Sequence, residues 1–372
     1  MMDDEMKNSD AVTMVVCGTV MLVPSRSPEF YRTILSPKLK EKIRQGDISV
    51  CDLETCFTSS PEHVPKAVNL VVPPGYASVI KDWGFTHTNC VHNHSLDAGP
   101  KGFQDSLAAL VSVGLRPLSG GKGLSGADHE ICTVRGKRVA MLSYCAIGEL
   151  GDTYDAYDTA RKEIPKYREQ SDVVVVFYHD GFDLAGVPLP SQQKRYRTLL
   201  DVGADVLLVN QAHVFQGFER YQGRLIFHST GNFVVYDTSD ARWASTNRGA
   251  VISIAIHKDE IVFELLPIMI ADDLSVSEMT AANTFRGLWE ERAAVYASIR
   301  HSRWNQLRAA GAIAKPFLTE QIVTGLTIWF RKYGFWRGLK ATRFFVNRFY
   351  AFLVVGLILR TLGFGKKLYP QP

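Results

Sequence analysis

Apolar positions along the chain gather into short, nearly unbroken runs, each ending in polar residues that can carry chemistry. Residues 172–178 (DVVVVFY) read as a strand buried on both faces, ending in His179-Asp180-Gly181. Residues 205–209 form a second such run, ending in Asn210-Gln211-Ala212-His213, and residues 48–51 a third, leading into Asp52-Leu53-Glu54. Residues 85–91 form a fourth, extended run that leads into His92-Asn93-His94-Ser95-Leu96-Asp97. Further strands are expected at residues 12–16, 139–144, 225–228, 251–256 and 261–265, the last three as an antiparallel run. Helical periodicity alternates with the earlier strands. Residues 76–83 form a short helix stopped by Gly84. Gly99-Pro100 opens another, with Phe103, Leu107, Leu110 and Val111 on one face and Gly114 as its left-handed cap. Residues 192–202, capped by Gly203, form a third helix, and a longer helical region is expected over residues 277–301.

This alternation predicts an α/β fold in layers. The strand ends deliver Glu54, Asn93, His94, His179, Gln211 and His213 to one edge of a sheet, where open α/β sheets bind ligands. Each residue alone has a plain structural use, since Asn and His cap loops and histidines hydrogen-bond at core edges. Four such strand ends together favour a metal site, because oxygen and imidazole ligands suit zinc, manganese or iron.

The order of motifs resembles the CapA family of poly-γ-glutamate capsule proteins, within the calcineurin-like metallophosphoesterase superfamily. The resemblance covers roughly residues 12–266. It is carried by Gly18-Thr19-Val20-Met21-Leu22, Asp52-Leu53-Glu54, His92-Asn93-His94-Ser95-Leu96-Asp97, His179-Asp180-Gly181, Gln211-Ala212-His213-Val214 and Ser229-Thr230-Gly231-Asn232-Phe233. It implies a four-layer α/β/β/α sandwich holding one or two divalent ions (Mn, Fe or Zn). In that arrangement Glu54 bridges, Asn93, His179 and Gln211 hold one ion, and Thr19 and His213 the other. His94 is the implied general acid, with Asp97 orienting its ring. The chain departs from the family pattern at Thr19, where members carry aspartate, and at Gln211, where they carry histidine. Both are neutral oxygen donors, weaker toward a transition metal than carboxylate or imidazole. The resemblance implies a metal-dependent hydrolase of a phosphate ester or γ-glutamyl amide in capsule polymer synthesis or export. The alternative is a non-catalytic binding or assembly component with an eroded metal site.

Composition adds a boundary. At 372 residues and 46% hydrophobic, the chain can bury one large core plus an appendage. The expected division is a metallophosphoesterase-like domain over 11–275, a helical extension over 276–314 and a basic, aromatic helical tail over 315–372. The tail carries ten basic residues and one acidic residue, a net +9, so the rest of the chain is at −5 when the total is +4. Its longest uncharged apolar run, residues 349–359, is far short of the roughly 20 residues that span a bilayer. Basic residues interleaved with Trp and Phe favour peripheral contact with an anionic membrane surface over nucleic acid. A helical hairpin packed on the rest of the protein is the competing expectation. The six cysteines lack Cys-x-x-Cys spacing and read as small buried hydrophobes of a reducing compartment. The acidic, polar amino terminus has no apolar signal core, so a cytoplasmic protein is expected. Residues 119–123 (SGGKG) lack phosphate-loop spacing and read as a turn.

Overall fold

The computed structural model describes residues 11–66, 68–119, 129–147, 153–236 and 246–279. Among them the elements run β1 (Val12–Val20), α1 (Pro28–Thr33), α2 (Pro37–Arg44), β2 (Ile48–Leu53), β3 (Cys56–Phe57), β4 (Val71–Val72), α3 (Ala77–Trp83), β5 (His87–Asn89) and α4 (Gly99–Ser112). There follow β6 (Arg116–Leu118), β7 (Glu130–Val134), β8 (Lys137–Cys145), α5 (Thr153–Gln170), β9 (Val173–His179), α6 (Pro190–Asp201) and β10 (Val206–Asn210). The last are β11 (Phe215–Tyr221), β12 (Arg224–Thr230), β13 (Asn232–Val234), β14 (Arg248–Ile256), β15 (Ile261–Ile270) and β16 (Val276–Glu278). Ser27 and Ser36 start α1 and α2 in the same way: each is followed by a proline at the first helical position and accepts a backbone N–H three residues on.

Among the described residues two large sheets are ordered β16-β15-β14-β1-β2-β5-β6, with β13 also paired to β1, and β11-β12-β10-β9-β8-β7, while β3 and β4 form a separate two-stranded sheet. Val12, Met14 and Val16 of β1 pack with Val139, Met141, Val175, Phe177 and Leu208 of the second sheet, so the sheets lie face to face around an apolar core. The opposite face of the first sheet, including Val15 and Cys51, is covered by α1 to α4 through Tyr31, Leu39, Trp83 and Phe103. The opposite face of the second sheet, including Val174 and Leu207, is covered by α5 and α6 through Ile164, Tyr196 and Leu199. The layers are therefore helix, sheet, sheet and helix, the four-layer α/β/β/α sandwich expected.

The long apolar runs are strands at the expected places, and Gly84, Gly114 and Gly203 adopt the positive φ that ends each preceding helix. Two expectations need correction. Residues 225–228 do not continue into an antiparallel run with 251–256 and 261–265. As part of β12 they pair parallel with β10 in the second sheet, while β14 and β15 form an antiparallel hairpin in the first. A period-two pattern specifies strands but not the sheet they join. Residues 277 and 278, read as the start of a helix, are the last pairing positions of β16 against β15. Residue 279 is described and lies outside any helix, while residues 280–301 of that expected helix, the tail and residues 120–123 lie outside the described residues. All six cysteines are buried and free of disulfides. Among the described residues no helix is long and apolar enough to cross a membrane.

Candidate metal centre

Alternation along the strands puts the site at one rim of the inter-sheet core. Ile48 and Val50 of β2 and Val173, Val175 and Phe177 of β9 point into that core, and the next positions on the same faces are Asp52 and His179. In β1 the period slips. Cys17 pairs with Cys51 but Thr19 pairs with Asp52, so Gly18 is an extra residue, a β-bulge. The slip returns Thr19 to the inter-sheet side, where its hydroxyl lies 3.2 Å from Glu54 Oε1 and 3.4 Å from Asp52 Oδ2. Only glycine fits at 18, since a Cβ there would meet the Gly231 carbonyl oxygen at 1.9 Å.

Asp52, Glu54 and His179 are buried and offer ligand atoms that all lie within 4.8 Å of one another. Asp52 Oδ1 accepts from Asn89 Nδ2 at 2.6 Å, and its Oδ2 faces His179 Nδ1 at 3.8 Å, too far for a hydrogen bond. On its other side, His179 Nε2 lies 3.1 Å from Asn93 Oδ1. His213 Nε2 lies 4.0 Å from Glu54 Oε2, and its Nδ1 is 3.0 Å from Asn232 Oδ1. Gln211 is close enough to favour the charged form of His179 yet outside hydrogen-bond geometry, and its Nε2 donates to Asp183 Oδ1. Gln211 and His213 both hold positive φ, 129° and 57°, a strained conformation for residues with side chains. His94 Nδ1 is 2.7 Å from Asp97 Oδ2. The buried Asp97 also accepts from Lys66 Nζ at 2.8 Å and from the Leu70 backbone N–H at 2.6 Å. Lys66 reaches the Asn93 carbonyl as well.

All the ligands expected from the strand ends, Glu54, Asn93, His179, Gln211 and His213, are thus brought to one place, with the His94–Asp97 pair beside them. Asp52 was missed, as were the supports Asn89, Asn232, Lys66 and Asp183. Asp52 had a readable signal: it is an acid on an otherwise apolar strand, two residues before Glu54.

Electrostatics make the site conspicuous. Burial raises the Glu54 carboxyl to about 7 against the pull of His94's charge, with Asp183 pushing it further up. Burial first, then the charge of Glu54, lifts Asp52 well above the usual carboxylate range. Burial, reinforced by His92 and His213, pushes His179 well down, so its approach to Asp52 is no ion pair at neutral pH. Burial likewise takes His92 down to about 3. Asp97 behaves otherwise: burial works to raise it, but hydrogen bonding and charge from His94 and Lys66 outweigh that and hold it below its ordinary value. Glu54 Oε2 and His179 Nδ1 are buried with no hydrogen-bond partner. Two buried carboxylates beside a neutral imidazole, with lone pairs unsatisfied, form the donor set that fits a divalent cation.

The family model described as bacterial capsule synthesis protein PGA_cap matches residues 13–237, which contain every one of these residues. The chain belongs to this family. Among curated relatives, the PGA biosynthesis protein CapA of Bacillus subtilis (strain 168) is 29% identical over 226 residues, covering 57% of this chain and 58% of that protein. The capsule biosynthesis protein CapA of Bacillus anthracis is 28% identical over 222 residues, covering 56% and 53%. The chain thus spans little more than half the length of these curated relatives. Among solved structures, a novel phosphatase from Mycoplasma pneumoniae aligns with TM-score 0.48 at 12% identity, covering 70% of this chain and 94% of that one. A hypothetical protein from Thermus thermophilus aligns with TM-score 0.46 at 17% identity, covering 72% and 99%.

Proposed function

We propose that this PGA_cap protein is a metal-dependent hydrolase of capsule polymer synthesis or export, acting on a phosphate ester or on a γ-glutamyl amide of an anionic polymer. One observation carries the reading: Glu54 Oε2 and His179 Nδ1 are buried without hydrogen-bond partners, and their residues form with Asp52 a group offering ligand atoms within 4.8 Å of one another. Asp52, Glu54 and His179 would hold a manganese, iron or zinc ion, with Asn93, Gln211 and His213 as neutral donors around it. When bound, such an ion supplies Lewis acidity toward a phosphoryl or carbonyl oxygen. Asp97 fixes the His94 ring through Nδ1, leaving Nε2 to pass a proton to the leaving oxygen or nitrogen. Lys66 pairs with Asp97 Oδ1 at 2.8 Å and, after His94, helps hold that carboxyl below its ordinary value.

A second reading, a non-catalytic binding or assembly component, is favoured by one feature. The Thr19 hydroxyl sits against both carboxylates and brings no charge of its own to a second ion. Elemental analysis of protein purified without chelator separates the two. The hydrolase reading expects stoichiometric transition metal that disappears in Glu54→Ala and His179→Ala. A folded, metal-free wild type overturns it in favour of the binder.

A further inference from the structure

Two loops meet beside the centre, residues 180–184 after β9 and residues 211–213 after β10. They are stapled through the backbone, Asp180 N–H donating to the Asn210 carbonyl at 3.0 Å and Leu184 N–H to the Ala212 carbonyl at 2.9 Å. Both loops hold non-glycine residues at positive φ: Leu184 at 59°, Gln211 at 129° and His213 at 57°. Such conformations persist only where the surroundings enforce them, and they collect at functional sites. Here the enforced backbone goes with a definite side-chain arrangement, since Gln211 Nε2 donates to the Asp183 carboxylate.

A carboxamide has a donor end and an acceptor end. Committing Nε2 to a carboxylate turns Oε1 the other way. That oxygen is buried and has no hydrogen-bond partner, a condition it shares with Glu54 Oε2 and His179 Nδ1. All three are lone-pair donors, and Gln211 directly follows Asn210, the residue that pairs with His179 across β10 and β9. A cation is the one kind of ligand that can engage all three at once.

We propose that Asp183 is a positioning residue of the metal centre: by holding the Gln211 amide nitrogen, it presents the Gln211 carbonyl oxygen to a hard divalent cation such as Mn2+. This rests on the reading of Asp52, Glu54 and His179 as metal ligands. Removing the carboxylate frees the amide to turn over and bring its NH2 group toward the cation, which repels it. An oxygen at this position also favours manganese over the softer zinc.

The test is calorimetric titration of the chelator-stripped, full-length protein with MnCl2 and separately with ZnCl2. The wild type should bind Mn2+, and Asp183→Ala should bind it about 10- to 100-fold more weakly, the usual cost of removing a group that orients a ligand. The loss should be smaller for Zn2+, and Asp183→Glu should recover most of the Mn2+ affinity. In a Gln211→Ala background Asp183→Ala should cost nothing more, because the two act as one unit. Asp183→Leu, which keeps much of the side chain's shape but has no acceptor, replaces Asp183→Ala if the latter melts earlier in chelator. A wild type that binds neither metal overturns the metal reading itself. A metal-binding wild type with unchanged affinity in Asp183→Ala or its substitute Asp183→Leu overturns only the role of Asp183, as does an additive loss in the Gln211→Ala background.

Discussion

The Nδ2 of Asn232 donates to the Thr246 carbonyl at 3.1 Å, which leaves only Oδ1 to face His213 and obliges that imidazole to carry its proton on Nδ1. Nε2 then presents a lone pair toward Glu54, the arrangement in which an outer hydrogen bond prepares a histidine for a metal. His228 shows a buried imidazole used differently. Burial pushes its pKa below the ordinary value, with Glu219 opposing, so the folded state keeps it neutral. A folded pKa below the unfolded one contributes stability that is present above about pH 6.5 and is lost as pH falls, because only the unfolded chain takes up the proton. His228→Gln should therefore flatten the decline in stability as pH falls below about 6.5, read by urea unfolding at a series of pH values. Equal slopes in the two proteins would show that folding leaves the proton affinity of His228 unchanged. The polar ends of the apolar runs were legible one by one because each breaks a hydrophobic pattern. Asn232 was visible only as a motif residue, since its role depends on a contact with His213 made across 19 positions of sequence.

Elements place these residues through period-two alternation, and that was legible wherever the period is unbroken. Val173, Val175, Phe177 and His179 share a face by counting alone. Counting fails at Gly18, where the bulge shifts β1 by one residue and moves Thr19 to the side of Asp52 and Glu54. Nothing local in Cys-Gly-Thr announces the slip. Its cause is tertiary: the Gly231 carbonyl comes so close that it accepts from the Thr19 N–H at 2.9 Å and occupies the space of a Cβ at 18. Gly18→Ala must push one backbone away from the other, so a loss of at least about 2 kcal/mol is expected, on the scale of overpacked core positions. Denaturant unfolding measures it. A loss below about 0.5 kcal/mol would mean that β1 straightens at no cost and that the bulge does not hold Thr19 in place. The sheet joined by β12 was illegible for the same reason, because strand pairing is decided by partners distant in sequence.

At the scale of the whole chain, charge falls into two parts of opposite sign. Residues 1–314 carry a net −5 and hold the candidate centre, whereas residues 315–372 carry +9 with many interleaved aromatic residues. An anionic capsule polymer or phosphate ester approaching the acidic part meets overall repulsion, so attraction has to come from local cations such as the proposed metal. The basic segment has the opposite preference, and its Trp and Phe residues give it an apolar component that a phosphate backbone does not reward. We propose that it holds the protein against an anionic membrane surface. Each basic residue near such a surface contributes about 1 kcal/mol, so replacing Arg331, Lys332, Arg337 and Lys340 by serine removes about 4 kcal/mol, a several-hundredfold loss of partitioning. Co-sedimentation of the full-length protein with vesicles rich in phosphatidylglycerol, at about 0.1 M salt, reads this directly. Neutral vesicles should bind wild type and variant equally weakly. If the variant sediments with anionic vesicles as well as the wild type does, these charges face the protein rather than lipid, and the basic segment is a packed part of the fold.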